Sequence, residues 1–432
     1  MLVSLRWLNE YIDLSGVSVE EISKTLTSIG LEVEGIKHIK PLKGDVVAGK
    51  ILSAVQHPNA DKLRVCQVDI GKGEALTIVC GAPNAREGIK VVVATIGSEL
   101  PKDFKIKESK IRGEKSFGML CSEEELGLSG GHDGIIELPD SVALGTPIAT
   151  HFHMEDTVIE IGLTPNRSDC LGLIGLARDL SAKLGKTLKV PDDKKIVTDA
   201  SLKSADHIKV AIENADDSNR FTALYMSDVR PIPSPSWMQR RLEFAGMRPI
   251  NIIVDATNYV MLESGQPIHA YDERDIGGKT LNVRRAKEGE ALKTLDGQER
   301  KLATGDIVIA DAQRAIGVAG VMGGANSEVK DDTKNIVIEV AHFNPSLVRK
   351  TSKRFALHTE ASHRFERGID VENIAWVARR VAGLILQATE EQRKELKLDI
   401  PAPRIAGAAV DQYPKAFAAK TIELRIPRLQ AI

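Results

Sequence analysis

Residues 334–343 read KNIVIEVAHF, and this stretch sets the fold of the larger part of the chain. Ile336, Ile338 and Val340 fall on one side of an extended chain, Val337, Glu339 and Ala341 on the other. Period-two alternation of this kind predicts a strand. It also isolates Glu339, an acid among small apolar residues. A carboxylate in that setting needs a partner, because burying an unpaired charge is costly. On either side, from about 205 to 400, strand-like and helix-like runs alternate, including the helical WMQRRLEFAG (237–246). This pattern predicts a mixed α+β domain.

Upstream, residues 251–272 read NIIVDATNYVMLESGQPIHAYD. A polar group (Asp255, Thr257, Asn258) precedes the turn residues Gly265 and Pro267 and then His269. Asp, Thr, Asn and His suit a small polar ligand and a positioned water. The alternative is a Gly-Pro turn followed by a hydrogen-bonded histidine. GVAGVMGG (317–324) offers Gly317, Gly320, Gly323 and Gly324, which either let backbone approach a ligand or close a tight hairpin.

A different pattern fills residues 40–149. VVAGKILSAVQ (46–56), LRVCQVDIG (63–71), LTIVCGAP (76–83), KVVVATIG (90–97) and GIIELP (134–139) are short β-rich runs separated by Gly, Pro, Asn and Asp. They predict a small barrel or sandwich. KDFKIKESKIRGEK (102–115) carries six basic residues, Lys105, Lys107, Lys110 and Arg112 among them, against three acidic ones. Such a run is either a solvated hairpin or the loop by which a small barrel docks nucleic acid.

Nearer the N-terminus, Ser18-Val19-Glu20-Glu21 opens an amphipathic helix that Gly30 closes. CLGLIGLARDLSAKLG (170–185) is an apolar helix ending at Gly185, followed by a linker at Pro191. The strand-like TIELRI (421–426) begins what reads as a further, truncated domain.

Composition restricts the function. The chain has 432 residues, too many for one core, with 42% hydrophobic and 27% charged residues. Aromatics at 4% exclude a wide base-stacking platform, and a net charge of −2 leaves any phosphate-rich partner to local basic patches. Cys66, Cys80, Cys121 and Cys170 form no C-x-x-C pair, which points to reduced, buried thiols in a cytoplasmic protein. The charged N-terminus is no signal peptide, and no run is long and apolar enough to span a membrane.

Three motif matches fail on context. Gly127-Leu128-Ser129-Gly130-Gly131 has the nucleophile-elbow spacing, but a helix-like acidic run precedes it where a strand is required. His151 and His153 share a strand face without an obvious third metal ligand. Gly278-Lys279-Thr280 ends like a phosphate-binding loop, but Glu273 stands where its first glycine belongs.

Taken together, the motifs resemble one family, the β subunit of bacterial phenylalanine–tRNA ligase, over the N-terminal half of that subunit. MLVSLRWLNEYIDL (1–14) and GLEVEGI (30–36) are similar to its opening. HPNADKLRVCQVDIG (57–71), IVCGAPNAREG (78–88) and IRGEKSFGMLCSEEELGL (111–128) resemble its inserted tRNA-binding OB-fold. That module recurs in other proteins. The order TPNRSDCLGLIG (164–175), DATNYVMLESGQPIHAYD (255–272), GVMGG (320–324), IVIEVAHF (336–343) and LHTEASHRFERG (357–368) is the specific part.

The resemblance implies an α+β multidomain chain. Residues 1–39 with 150–200 form a discontinuous N-terminal domain, 40–149 an OB-fold β-barrel, 201–400 a mixed α+β editing domain and 401–432 the start of another domain. It implies hydrolysis of tyrosine wrongly esterified to the phenylalanine tRNA, since a hydrophobic pocket rejects an added hydroxyl weakly. Glu339, as an ionised carboxylate, accepts the tyrosine hydroxyl, and His269 orients water or ester. Thr257, Asn258 and Thr359 line the pocket, Gly320 and Ala361 form its small wall, and Arg248 lies at its mouth. Lys105, Lys107, Lys110 and Arg112 contact tRNA. Phe117 departs from the family's polar residue and is given no tRNA contact. The implied partners are tRNA and the ligase α subunit. Magnesium and ATP belong to the complete ligase, and no metal or ATP ligand is placed in this chain. Two rival readings are a tRNA-binding module without activity and a free-standing editing hydrolase.

Overall fold

The computed structural model describes residues 1–40, 42–128, 134–419 and 421–431. Four sheets of three or more strands organise it. The first has the antiparallel order Leu2–Ser4, Asp156–Gly162, Glu32–Ile39. Its central strand comes from beyond the barrel, so the chain leaves this sheet after Ile39, builds the barrel and returns.

The barrel sheet runs Gly118–Leu120, Lys90–Thr95, Val46–Gln56, Arg64–Asp69, Leu76–Cys80, with Glu137–Leu138 beside Lys90–Thr95. It nearly closes, because the Phe117 amide donates to the Thr77 carbonyl at 2.8 Å and the Val79 amide to the Ser116 hydroxyl at 3.1 Å. Alternation explains its packing. Val91 and Val93 point into one apolar cluster with Ile51, Cys66 and Ile78, and Val92 and Ala94 into another with Leu100, Cys121 and Ile148. All four cysteines are free and buried.

The α+β part holds two five-stranded sheets. One is antiparallel, with Ile268–Asp272, Ile336–His342 and Arg220–Ser227 in that order, and with Arg404–Ile405 and Val410–Gln412 both on the far edge of Arg220–Ser227. The other runs Lys209–Ile212, Thr280–Arg285, Ile307–Ala310, Ala315–Val318, Met322–Gly323, with only its first pairing parallel. Helices Ile252–Ser264 and Ile374–Glu395 pack together, and both contact the first of these sheets.

Two expectations are corrected. The boundary at 400/401 is misplaced, since Arg404–Ile405 and Val410–Gln412 complete the α+β sheet and Ile405 is buried. Strands of two and three residues are too short to show a period. TIELRI is not a strand: Ile422 and Leu424 are exposed and a short helix begins at Ile426.

The N-terminal region and the α+β part also share one apolar cluster, from Val3 and Trp7 to Ile338 and Val381. A buried polar chain crosses it. The Trp7 indole donates to the Tyr11 hydroxyl (2.9 Å), which donates to Glu263 (2.7 Å), and Arg380 grips the same carboxylate through two bonds of 2.8 Å. A fully buried carboxylate is tolerated here because it is paired on both oxygens.

The two regions meet backbone to backbone where Gly172 lies against Gly265. A Cβ on Gly172 would stand 2.4 Å from the Gly265 nitrogen. Backbone cannot yield as a flexible side chain can, so Gly172→Ala should lower stability by about 1–3 kcal/mol. Gly305→Ala, into open space, should cost less than about 0.5 kcal/mol. Urea denaturation of both variants checks this. Equal midpoints would show that the contact is not tight.

Candidate functional site

Antiparallel pairing of Ile268–Asp272 with Ile336–His342 sets His269 directly opposite Glu339. Tyr271, two residues on, shares the face of His269. Their rings meet edge to face at 4.5 Å. The hairpin of Ala315–Val318 and Met322–Gly323 lies over these side chains, and helix Glu360–Phe365 supplies Ala361 and Phe365. The cavity, open on one side, measures about 80 Å³, room for one side chain and well below the ~300 Å³ of a drug-sized site.

Glycines make that room. Gly320 turns the hairpin at φ +68°, and a Cβ there would stand 3.0 Å from Phe365 and Val348. A Cβ on Gly323 would come 2.7 Å from the His269 ring. The hairpin reading of GVAGVMGG holds, and the same glycines bring backbone against a cavity.

Burial dominates the electrostatics. It pushes the His269 imidazole down to about 4, so the ring is neutral at pH 7, and its Nε2 has no hydrogen-bond partner among the described residues. Burial pushes Glu339 up to about 7. Its Oε2 accepts a 2.5 Å hydrogen bond from the Tyr271 hydroxyl, which acts in the opposite direction. Sequence reasoning took Glu339 as ionised and as the lone acid on its strand face. The structure makes it a carboxyl poised near neutrality beside a resident phenol. Tyr271 is the residue that reasoning missed, although its two-residue spacing from His269 was a usable signal.

The structure thus gathers His269, Glu339, Gly320 and Ala361 around one cavity and leaves others outside it. Thr257 is buried in helix Ile252–Ser264 and donates to the Val254 carbonyl (2.7 Å). Asn258, half-buried on the same helix, also lies off the cavity wall. At about 100° per residue, Thr257 lies about 160° from Asp255 and about 100° from Asn258, so the three cannot converge on one ligand. Asp255 instead anchors the preceding loop, accepting from the Ser234 hydroxyl (2.5 Å) and the Ile250 amide (2.8 Å). Thr359 caps helix Glu360–Phe365 and donates to the Val321 carbonyl (2.9 Å). It braces the cavity wall from behind. Arg248 is exposed, makes no ion pair among the described residues and does not line the cavity.

On the barrel, Ser109–Ile111 and Glu114–Ser116 form a hairpin that turns at Arg112. The motif at 57–59 holds it in place. His57 Nδ1 accepts from the Asn59 amide (3.0 Å), which leaves Nε2 as donor to the Ile111 carbonyl (3.0 Å), while Asn59 donates to the Arg112 carbonyl (3.1 Å). Lys105, Lys107, Lys110 and Arg112 are exposed, and none is in an ion pair among the described residues. Lys115 pairs with Glu108 and stands over the Phe117 ring.

The other motif matches carry no chemistry. Ser129, Gly130 and Gly131 lie outside the described residues. Gly278 and Lys279 both adopt positive φ in a turn. His151 and His153 join no metal-competent group. Among the described residues that group is Asp169, Cys170 and Asp179, where the Arg167 guanidinium already pairs with both acids. A larger cleft of about 510 Å³ has three of its arginines paired likewise, Arg240 with Glu243, Arg241 with Glu10 and Arg380 with Glu263.

Comparisons with known proteins bear on both sites. Residues 46–147 match the family model described as "Putative tRNA binding domain", and residues 217–390 match "B3/4 domain". Phenylalanine–tRNA ligase beta subunits align along the chain. That of Geobacter metallireducens is 46% identical over 99% of the chain and 51% of the relative. That of Geobacter sulfurreducens is 45% identical over 100% and 52%. That of Geobacillus kaustophilus is 45% identical over 89% and 48%. The chain belongs to the phenylalanine–tRNA ligase beta subunit family. It spans about half the length of the curated relatives it matches. The barrel with its basic hairpin falls within the tRNA-binding segment, and the His269–Glu339 cavity within the B3/4 segment. No helix among the described residues is long and apolar enough to cross a membrane.

The electrostatics of this beta-subunit cavity generate a stability prediction. Glu339 titrates near 7 in the fold and near 4.3 when unfolded, so folding favours its protonated form. That contribution is full below the unfolded value and is lost as pH rises through about 7. Glu339→Gln cannot titrate. It should gain up to ~3 kcal/mol on the parent between pH 5 and pH 8. Urea midpoints at the two pH values test this, and a constant difference would contradict the burial of the acid.

Proposed function

We propose that this chain serves as part of a phenylalanine–tRNA ligase, binding tRNA through the barrel and hydrolysing tyrosine wrongly esterified to the phenylalanine tRNA at the His269–Glu339 cavity. The supporting observation is a buried carboxyl with one unoccupied oxygen, in a glycine-walled space sized for a single side chain, beside an unpartnered imidazole nitrogen. A phenol entering this space meets an acceptor. A bare phenyl ring leaves that acceptor unpaired and is disfavoured.

The roles follow from the electrostatics. His269, held neutral, is too weak a base near pH 7 to remove a proton unaided, so it orients the attacking water or the ester through Nε2. An aminoacyl ester is already activated, and orientation supplies much of what remains. No covalent intermediate on the protein is needed. Gly320, Gly323 and Ala361 shape the space, and Thr359 keeps helix and hairpin together. Aminoacylation, with its ATP and magnesium, belongs in this reading to the complete ligase with its α subunit, and no residue of this chain is assigned to them.

Supplied Tyr-tRNA(Phe) should be cleared by the complete ligase. His269→Ala and Glu339→Ala should each slow clearance by about tenfold or more, the equivalent of one buried hydrogen bond. Clearance by both variants at the parental rate would remove the assignment. Gel-shift binding of tRNA without hydrolysis would favour a binding module, and clearance by the purified chain alone a free-standing hydrolase.

For the barrel, replacing Lys105, Lys107, Lys110 and Arg112 together by alanine should weaken tRNA binding. It should also flatten the dependence of log K on log salt by ~0.7 for each phosphate contact removed. An unchanged slope in a filter-binding titration would place the tRNA elsewhere.

A further inference from the structure

The acceptor assigned to the substrate hydroxyl already holds a phenol of the protein itself. Tyr271 is fully enclosed, 1% exposed, and donates its hydroxyl to Glu339 Oε2 at 2.5 Å. Glu339 Oε1 accepts no hydrogen bond from any described residue, and Glu339 keeps 5% exposure beside the cavity it lines. The Tyr271 ring is fixed by the edge of His269 on its own strand face and by the open backbone of Gly317, where a Cβ would stand 3.8 Å from the hydroxyl.

We propose that Tyr271 is a positioning residue for substrate selection, its hydroxyl holding one oxygen of Glu339 so that the other faces the incoming tyrosine as acceptor. The proposal rests on the editing reading of the cavity. Its physical basis is a division of labour within one carboxylate. A buried acid with both oxygens free is costly as an anion and rotates between arrangements. One fixed donor supplies part of the missing solvation and locks the rotamer, and the second oxygen remains for selection.

Three titratable groups face the cavity. Strand Ile268–Asp272 contributes His269 and Tyr271, and strand Ile336–His342 contributes Glu339. The glycine hairpin contributes none, and helix Glu360–Phe365 contributes only Ala361 and Phe365. Of these neighbours, only the Tyr271 hydroxyl favours the anionic form of Glu339. Without it, Glu339 is protonated to higher pH and the acceptor is lost where the enzyme works.

The test compares parent with Tyr271→Phe, which keeps the ring and removes the donor. Glutamate labelled with ¹³C at the carboxyl carbon, with the Glu339 signal assigned by Glu339→Gln, gives the titration of that one group. Its midpoint should rise by about one pH unit or more in Tyr271→Phe, the equivalent of one lost hydrogen bond to a charged group. In the complete ligase, the preference for clearing Tyr-tRNA(Phe) over Phe-tRNA(Phe) should fall about tenfold at pH 7 and recover as pH is raised past the new midpoint. A merely structural role predicts loss at every pH. An unmoved Glu339 midpoint, or a preference lost equally at all pH values, overturns the proposal. Should the parental ligase fail to clear Tyr-tRNA(Phe), the editing reading falls, while the carboxyl titration still shows whether Tyr271 holds Glu339.

Discussion

The register between Ile268–Asp272 and Ile336–His342 is the constraint on which the candidate site depends. Side chains on paired strands alternate with a period of two, so a slip of one residue would turn Glu339 and His269 to opposite faces. The slip is opposed from both sides. Ile338 and Val340 are fully buried on one face, and Val337 and Ala341 are buried on the other. Gln266, in the turn that leads into the first strand, donates to the Ala341 carbonyl and fastens the start of the pairing.

Once the register is fixed, burial does the chemical tuning. One dry environment moves two groups in opposite directions, because it penalises whichever form carries charge. The imidazole becomes a neutral hydrogen-bonding group and the carboxyl is brought to the edge of ionisation. Tyr271 opposes the second effect, so the acid is held between the cost of its charge and the gain from one strong donor. The glycines of the hairpin keep the space above this pair empty. A larger side chain at Gly323 would meet the imidazole itself.

The rest of the molecule holds two functional surfaces on one frame. Glu263, gripped by Tyr11 and Arg380, fixes the helix that precedes the His269 strand to the N-terminal region. The close approach of Gly172 and Gly265 does the same at the end of that helix. The barrel is an insertion in this frame, built on its own apolar clusters, and it presents Lys110 and Arg112 on a hairpin pinned by His57, with Lys105 and Lys107 just before it.

Much of this was written in the sequence by itself. Alternation at 334–343, the spaced β runs of the barrel, the cap at Ser18 and the stops at Gly30 and Gly185 are local, and local sterics and hydrogen bonding settle them. The isolation of Glu339 and the glycine run at 317–324 were legible for the same reason. What only the tertiary structure decided is which polar groups meet. Thr257 and Asn258 are near His269 along the chain, yet helical rotation turns them away. Tyr271 was unremarked, yet two strands and a hairpin fold it onto the acid. Neither outcome is local, because each follows from long-range pairing and packing, whose geometry no short window of residues contains.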